Sequence, residues 1–206
     1  MNLSMTELES LSKRAARGAG YDWGLAEEAG NAVRWLSERG LDGPGALLAA
    51  LEAKDAGRLF APEEGLSVWG NPAGDLCPLL VGAGLADFAP VTNMALQYVA
   101  APLLILPFEA RLAARGLGIR KLKIREFLGV TDGDQLWCDG VAPDLADVVI
   151  DVVTDAPTYA PRPRVSRCEM AEDMYAALGR FAHRTYAPAT EESRLSGAGA
   201  GLSDND

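Results

Sequence analysis

Two adjoining runs constrain this chain more than anything else in it. IRKLKIREFL, starting at Ile119, puts Leu122 and Ile124 on one side of an extended strand and Lys121, Lys123 and Arg125 on the other. Alternation with a period of two marks a half-buried strand. VTDGDQLWCDG follows directly, and its Asp132–Gly133 pair is a tight-turn dipeptide. Strands joined by so short a turn run antiparallel, because a parallel neighbour needs a crossover of a dozen or more residues. DVVIDVVTDAP (147–157) adds a β-branched strand and VSRCE (165–169) a short last one. The expected fold is α+β, with N-terminal helices and a small antiparallel or mixed sheet; α/β is the alternative.

The first sixty residues carry the helical period instead. Thr6 and Glu9 have the spacing of a capping box. Leu8, Leu11 and Ala15 then recur at helical intervals, which predicts a helix over 6–17 that ends at Gly18 and Gly20. Asp22 is placed to cap a second helix with an apolar stripe of Ala26, Ala29, Val33 and Leu36, closed near Gly40. An alanine-rich third helix is expected from Pro44 to Ala56. Trp23 and Trp35 flank the second helix and read as packing anchors, or else as a ligand platform. Gly30 sits inside that helix at a cost of about 1 kcal/mol relative to alanine, which a close helix contact or an approaching ligand would explain. Glu27 and Glu28 are adjacent, so they point to different sides of the helix and make a poor acid/base dyad.

Between these regions, a buried strand or irregular packed segment is expected around Leu79–Val81 and a helix over 91–101. Residues 103–107 read as a strand or a helix start, 108–116 as a helix closed by Gly116, and 170–184 as the last helix. The chain divides into a helical segment (1–60), an α+β core (61–184) and a glycine-rich tail (185–206).

Charge narrows the function classes. A net charge of −10 over 206 residues makes nucleic acid and anionic membrane poor partners. The opening residues lack an apolar signal core and no apolar run reaches the ~20 residues of a membrane helix, so a cytoplasmic location is expected. Cys77, Cys138 and Cys168 are far apart, which speaks for reduced thiols rather than a CxxC or zinc site, and no metal or cofactor is expected. GxSxG and a glycine-rich P-loop are absent.

The candidate site residues are therefore individual ones. His183, the single histidine, falls near the end of the last helix. It could act as a general base only with a partner group within hydrogen-bond reach. The densest basic run contains Arg120, and APRPRVSR offers Arg162 on an extended segment. Arginine holds carboxylates and phosphates in bidentate fashion. The tail TYAPATEESRLSGAGAGLSDND gathers Glu191, Glu192 and Arg194 beside a glycine-rich stretch whose backbone N–H groups could face an anion.

The opening TELESLSKRAARGAGYDWGLAEEAGNAVRWLSERGL and the ending YAPATEESRLSGAGAG resemble an uncharacterised bacterial family, a domain of unknown function, over nearly the full chain. That resemblance implies no catalytic role for any residue. The first helices are also similar, to about residue 50, to those of the malate/L-lactate dehydrogenase family that is distinct from the Rossmann dehydrogenases. None of that family's cofactor or catalytic motifs is matched.

The leading expectation is an accessory protein that binds a small anionic ligand or a protein partner. One alternative is a small cofactor-independent lyase, isomerase or hydrolase. It would act on a carboxylated metabolite held by Arg120, Arg162 or Arg194, while His183, Glu191 or Glu192 moves a proton. The other is a structural homo-oligomer joined through its alanine-rich helices.

Overall fold

The computed structural model describes residues 1–63, 65–88 and 93–185. The chain opens with a short strand β1 (Asn2–Ser4) and three helices, α1 (Met5–Gly18), α2 (Trp23–Ser37) and α3 (Gly43–Asp55). Two-residue strands β2 (Leu59–Phe60), β3 (Val68–Trp69) and β4 (Asp75–Leu76) lead to α4 (Pro78–Phe88) and β5 (Met94–Ala100). A 3-10 turn (Pro102–Ile105) runs into α5 (Leu106–Ala114). The rest is β6 (Ile119–Ile124), β7 (Phe127–Thr131), β8 (Leu136–Asp139), β9 (Leu145–Val153), β10 (Arg167–Glu169) and α6 (Glu172–His183). The fold is α+β, with N-terminal helices followed by a mixed sheet.

The main sheet has the order β2-β4-β5-β9-β6-β7-β8, and β3 also pairs with β5. From β5 onward every pairing is antiparallel, while β2, β3 and β4 join in parallel. Separately, β1 pairs antiparallel with β10. The helices lie against one face of the large sheet, where Leu122, Ile124, Val148, Ile150 and Phe127 join helical leucines in a continuous apolar core. The alternation read from the sequence sets this face: Lys121 and Lys123 point away from it.

The N-terminal helices follow their signals, with one shift. The capping box is Ser4–Glu7, not Thr6–Glu9: Ser4 accepts from the Glu7 N–H and donates its own N–H to the Glu7 carboxylate. Pairing of β1 with β10 holds the chain extended up to Ser4, so the cap lies two residues earlier than expected and the helix starts at Met5. Asp22 caps α2 as expected, and its whole apolar stripe is buried. Gly30 marks a close helix crossing, since a Cβ there would lie 3.0 Å from the Glu9 carbonyl oxygen of α1. Glu27 and Glu28 diverge as their spacing requires, Glu27 to Lys13 of α1 and Glu28 to Arg111 of α5.

Three local expectations fail for reasons visible in the packing. Leu79–Val81 belongs to α4, not to a strand. Pro78 occupies a helix start, where its missing N–H costs nothing. Gly82 keeps the helix close to α5, because a Cβ would lie 2.3 Å from the Phe108 ring. Residues 94–100 form β5, an interior strand of the sheet, not a helix. Their pattern is broken by a bulge at Gln97–Tyr98, opposite Asp147, which returns Val99 to the core. Tyr98 takes a positive φ of 51° there and donates its N–H to the Asp147 carboxylate. Trp23 is no packing anchor: it is 65% exposed, with Arg17 and Lys13 over its ring. Trp35 is half-buried, with the Arg39 guanidinium 3.8 Å above it.

Candidate functional site

A recess of about 580 Å³ opens between α3 and the turn joining β8 to β9. Its floor is apolar, formed by Leu48 of α3, Leu103 of the 3-10 turn and the buried Phe127 of β7. Val141 and Pro143 of the β8–β9 turn form the opposite wall. The ionisable groups on its lining are Asp42, Glu52 and Asp144, all carboxylates. Glu52 and Asp144 also line a smaller adjoining recess with Asp75 and Arg58.

Local structure explains how these groups get there. Asp42 caps α3 by accepting the Gly45 N–H at 2.8 Å, so the positive end of that helix already faces a carboxylate. Glu52 lies on the same helix two to three turns on. Asp144 ends the β8–β9 turn, and its carbonyl accepts the Ala101 N–H at 2.7 Å. Ala101 also lines the recess and is held left-handed, at φ 43°. A non-glycine residue in this conformation is strained, and such residues concentrate at binding and switch sites.

A second recess of about 420 Å³ lies on the other side of the turn Gly40–Asp42, lined by Ser37, Val165, Cys168, Met170 and Met174. Burial pushes the Cys168 thiol above its ordinary value, so it stays protonated at neutral pH. The turn between the two recesses is fixed by arginine. Arg162 donates Nε to the Arg39 carbonyl at 2.8 Å and a terminal nitrogen to the Gly40 carbonyl at 3.1 Å. Arg39 is buried and donates to the carbonyls of Trp35 and Asp134. Burial, with Arg164 nearby, lowers its guanidinium to about 10. Arg164 in turn binds Asp134 through both the carbonyl and the carboxylate. These arginines clasp three loops together.

Among the described residues, the sequence candidates Arg120, Arg162 and His183 do not converge. Arg120 is fully buried, with its Nε 3.6 Å from the carboxylate of Glu109, which is buried equally deeply on α5. A strand position facing α5 puts this side chain in the core, out of reach of any ligand in the recesses. Arg162 is engaged with backbone carbonyls. His183 is exposed in the last turn of α6. Glu191, Glu192 and Arg194 lie outside the described residues. Among the described residues, no cluster of histidine, cysteine or carboxylate groups is arranged to hold a metal ion, and no helix is long and apolar enough to cross a membrane. Sequence reading passed over Glu52 and Asp144, which have no motif. It passed over Asp42 as well, although an acidic residue before a Gly-Pro helix start is a signal that could have found it.

Residues 3–77 match a family described as a protein of unknown function, DUF3726. That segment spans β1, the first three helices and the short strands to β4, about a third of the chain. It corrects the near full-length resemblance: the match ends at Cys77, and the ending YAPATEESRLSGAGAG has no share in it. No curated protein and no solved structure matches the chain.

Proposed function

We propose that the protein is an accessory binding protein whose recess between α3 and the β8–β9 turn takes a small organic cation with an apolar body. One observation carries this reading: every ionisable side chain on the recess lining is a carboxylate, above an apolar floor. A recess lined by one sign of charge concentrates counter-ions of the other. The net charge of −10 acts in the same direction. The anionic ligand expected from the arginines has less support, because Arg120 and Arg162 face Glu109 and backbone carbonyls and the helix end at Asp42 is already capped by an acid. Ligand pockets of a few hundred Å³ with an apolar wall and few polar groups are the ordinary form of a small-molecule site.

Thermal denaturation with two ligand panels tests this. Amines such as agmatine, choline and spermidine should raise Tm by at least about 2–4 °C near saturation, the response to roughly 1 kcal/mol of linkage in a chain of this size. Malate, citrate and phosphate should not. Glu52→Gln with Asp144→Asn should abolish the amine response while leaving the unliganded Tm close to wild type, since both side chains are exposed. Stabilisation by the acids alone, or an amine effect that survives in the double variant, would refute the assignment.

A further inference from the structure

The basic run that stands out in the sequence is not part of the recess. Lys121 and Lys123 lie on β6 and point to the sheet face opposite the helices, and Arg125 follows at the turn into β7. Their neighbour in the sheet is β9, in the register Lys121↔Asp151 and Lys123↔Val149. Asp147, Val149 and Asp151 alternate on the same outer face of β9. Two adjacent strands therefore present opposite charges side by side: a basic stripe on β6 and an acidic stripe on β9. Lys121 reaches Asp151 at 3.4 Å, but Lys123 and Arg125 have no carboxylate partner among the described residues.

This face also exposes apolar surface. Val149 is 42% exposed and Val68 47%; both lie in one row across the sheet, through Val68↔Ala95 and Ala95↔Val149. The segment after β9 crosses the β7–β8 side of this face, where the Trp137 indole N–H donates to the Tyr159 carbonyl and Val130 and Trp137 are buried, and the β6–β9 stripes lie beside it.

We propose that this open face is the interface between two copies of the chain, related by a two-fold axis running parallel to the strands above the line between β6 and β9. Closed dimers use a self-complementary patch. Rotation about this axis exchanges the two strands, so the basic stripe of each copy lies over the acidic stripe of the other. Lys121 then faces the second copy's Asp151, and Lys123 extends over its Val149. The Arg125 end of β6 meets the end of β9 that carries Asp147. Two sheets stacked roughly 10 Å apart, with strands within about 30° of parallel, leave room for lysine and valine side chains to interdigitate. An axis through the middle of either strand would instead stack like charges. The interface is thus assigned to the sheet, not to the alanine-rich helices, most of whose small residues are already packed inside the chain.

Sedimentation at 50 µM protein tests the arrangement. The wild-type chain should run at twice the monomer mass in 50 mM NaCl, with a dissociation constant at least tenfold weaker in 500 mM NaCl. Lys123→Glu with Arg125→Glu should be monomeric, and so should Asp147→Lys with Asp151→Lys. An equimolar mixture of the two should recover a heterodimer, because each stripe again meets its opposite. Circular dichroism reports whether each variant is folded. If one is not, Val149→Glu at the centre of the face reads the same contact and should be monomeric. A wild-type chain that stays monomeric at 200 µM overturns the proposal. So does a dimer that survives these substitutions, or variants that do not pair when mixed.

Discussion

Replacing Arg120 by methionine is expected to destabilise the protein by about 3–5 kcal/mol at pH 8.5 and by a fraction of that at pH 6. The reason is the carboxylate it leaves behind. Glu109 is fully buried, and neither of its oxygens has a hydrogen-bond donor among the described residues. Burial raises its carboxyl to about 7, and Arg120 partly counters that rise. A carboxyl that binds its proton more tightly when folded contributes most at low pH. Its contribution declines as pH rises from the solvated value of 4.5 and stops changing once pH passes the folded value. In the wild type that plateau begins at about 7. Without Arg120 the folded value climbs further and the decline continues, at about 1.4 kcal/mol per unit, which adds roughly 2 kcal/mol between pH 7 and 8.5. At pH 6 Glu109 is largely protonated in both proteins, so the substitution mainly removes a buried charge that faces a neutral acid. Urea denaturation at the two pH values measures the difference. The double variant Glu109→Leu with Arg120→Met should return to wild-type stability or exceed it and lose this pH dependence, as replaced buried ion pairs commonly do. An equal loss at both pH values would show that the pair does not govern the effect.

The same pair shows what a single sequence conveys and what it withholds. Alternation along 119–124 sorted Lys121 and Lys123 from Leu122 and Ile124 because strand geometry alone fixes which side each residue faces. Position 120 shares its face with Leu122 and Ile124, so the same rule puts Arg120 inside. Its charge argued for a ligand, and only the position of Glu109 on α5 shows what it meets. The helix cap at Asp22 was legible because it depends on a few consecutive residues, whereas Gly30 read equally as a helix contact or a ligand approach until the position of Glu9 on α1 decided between them. The strand at 94–100 was not, since a bulge breaks its period of two and leaves an alanine-containing run that resembles a helix. Glu52 and Asp144 are 92 positions apart with ordinary neighbours. Only the antiparallel return of β9 beside β5 brings the turn carrying Asp144 over α3. The outer-face charge stripes have the same origin. The sequence shows a basic strand and an acidic one, and the sheet order β9-β6 makes them neighbours.

Gly18→Ala should lower the melting temperature by roughly 5–10 °C, although alanine is the better helix former by about 1 kcal/mol. A Cβ at Gly18 would lie 1.7 Å from the Phe181 carbonyl oxygen and 2.7 Å from its carbon. Both are backbone atoms of α6, so no side chain can rotate away. The last turn of α6 has to separate from α1, losing part of the contact that buries Leu178, Phe181 and Ala182, and overpacking of this kind costs about 1–3 kcal/mol or more. Gly30→Ala is the internal control. Its Cβ would meet the Glu9 carbonyl at 3.0 Å, a few tenths of an ångström too close, so the helix propensity gained there offsets most of the strain and Tm should move by less than about 2 °C. The contrast also bears on the family match. Gly18 lies within residues 3–77, but the backbone that forbids a side chain there comes from 181, outside them. The glycine at this position is therefore explained by a helix the matched segment does not contain. A fragment ending at Cys77 should tolerate Gly18→Ala with no loss of helicity by circular dichroism, while the full chain should not. Equal tolerance in both would mean that α6 does not hold α1 in the way the 1.7 Å approach requires.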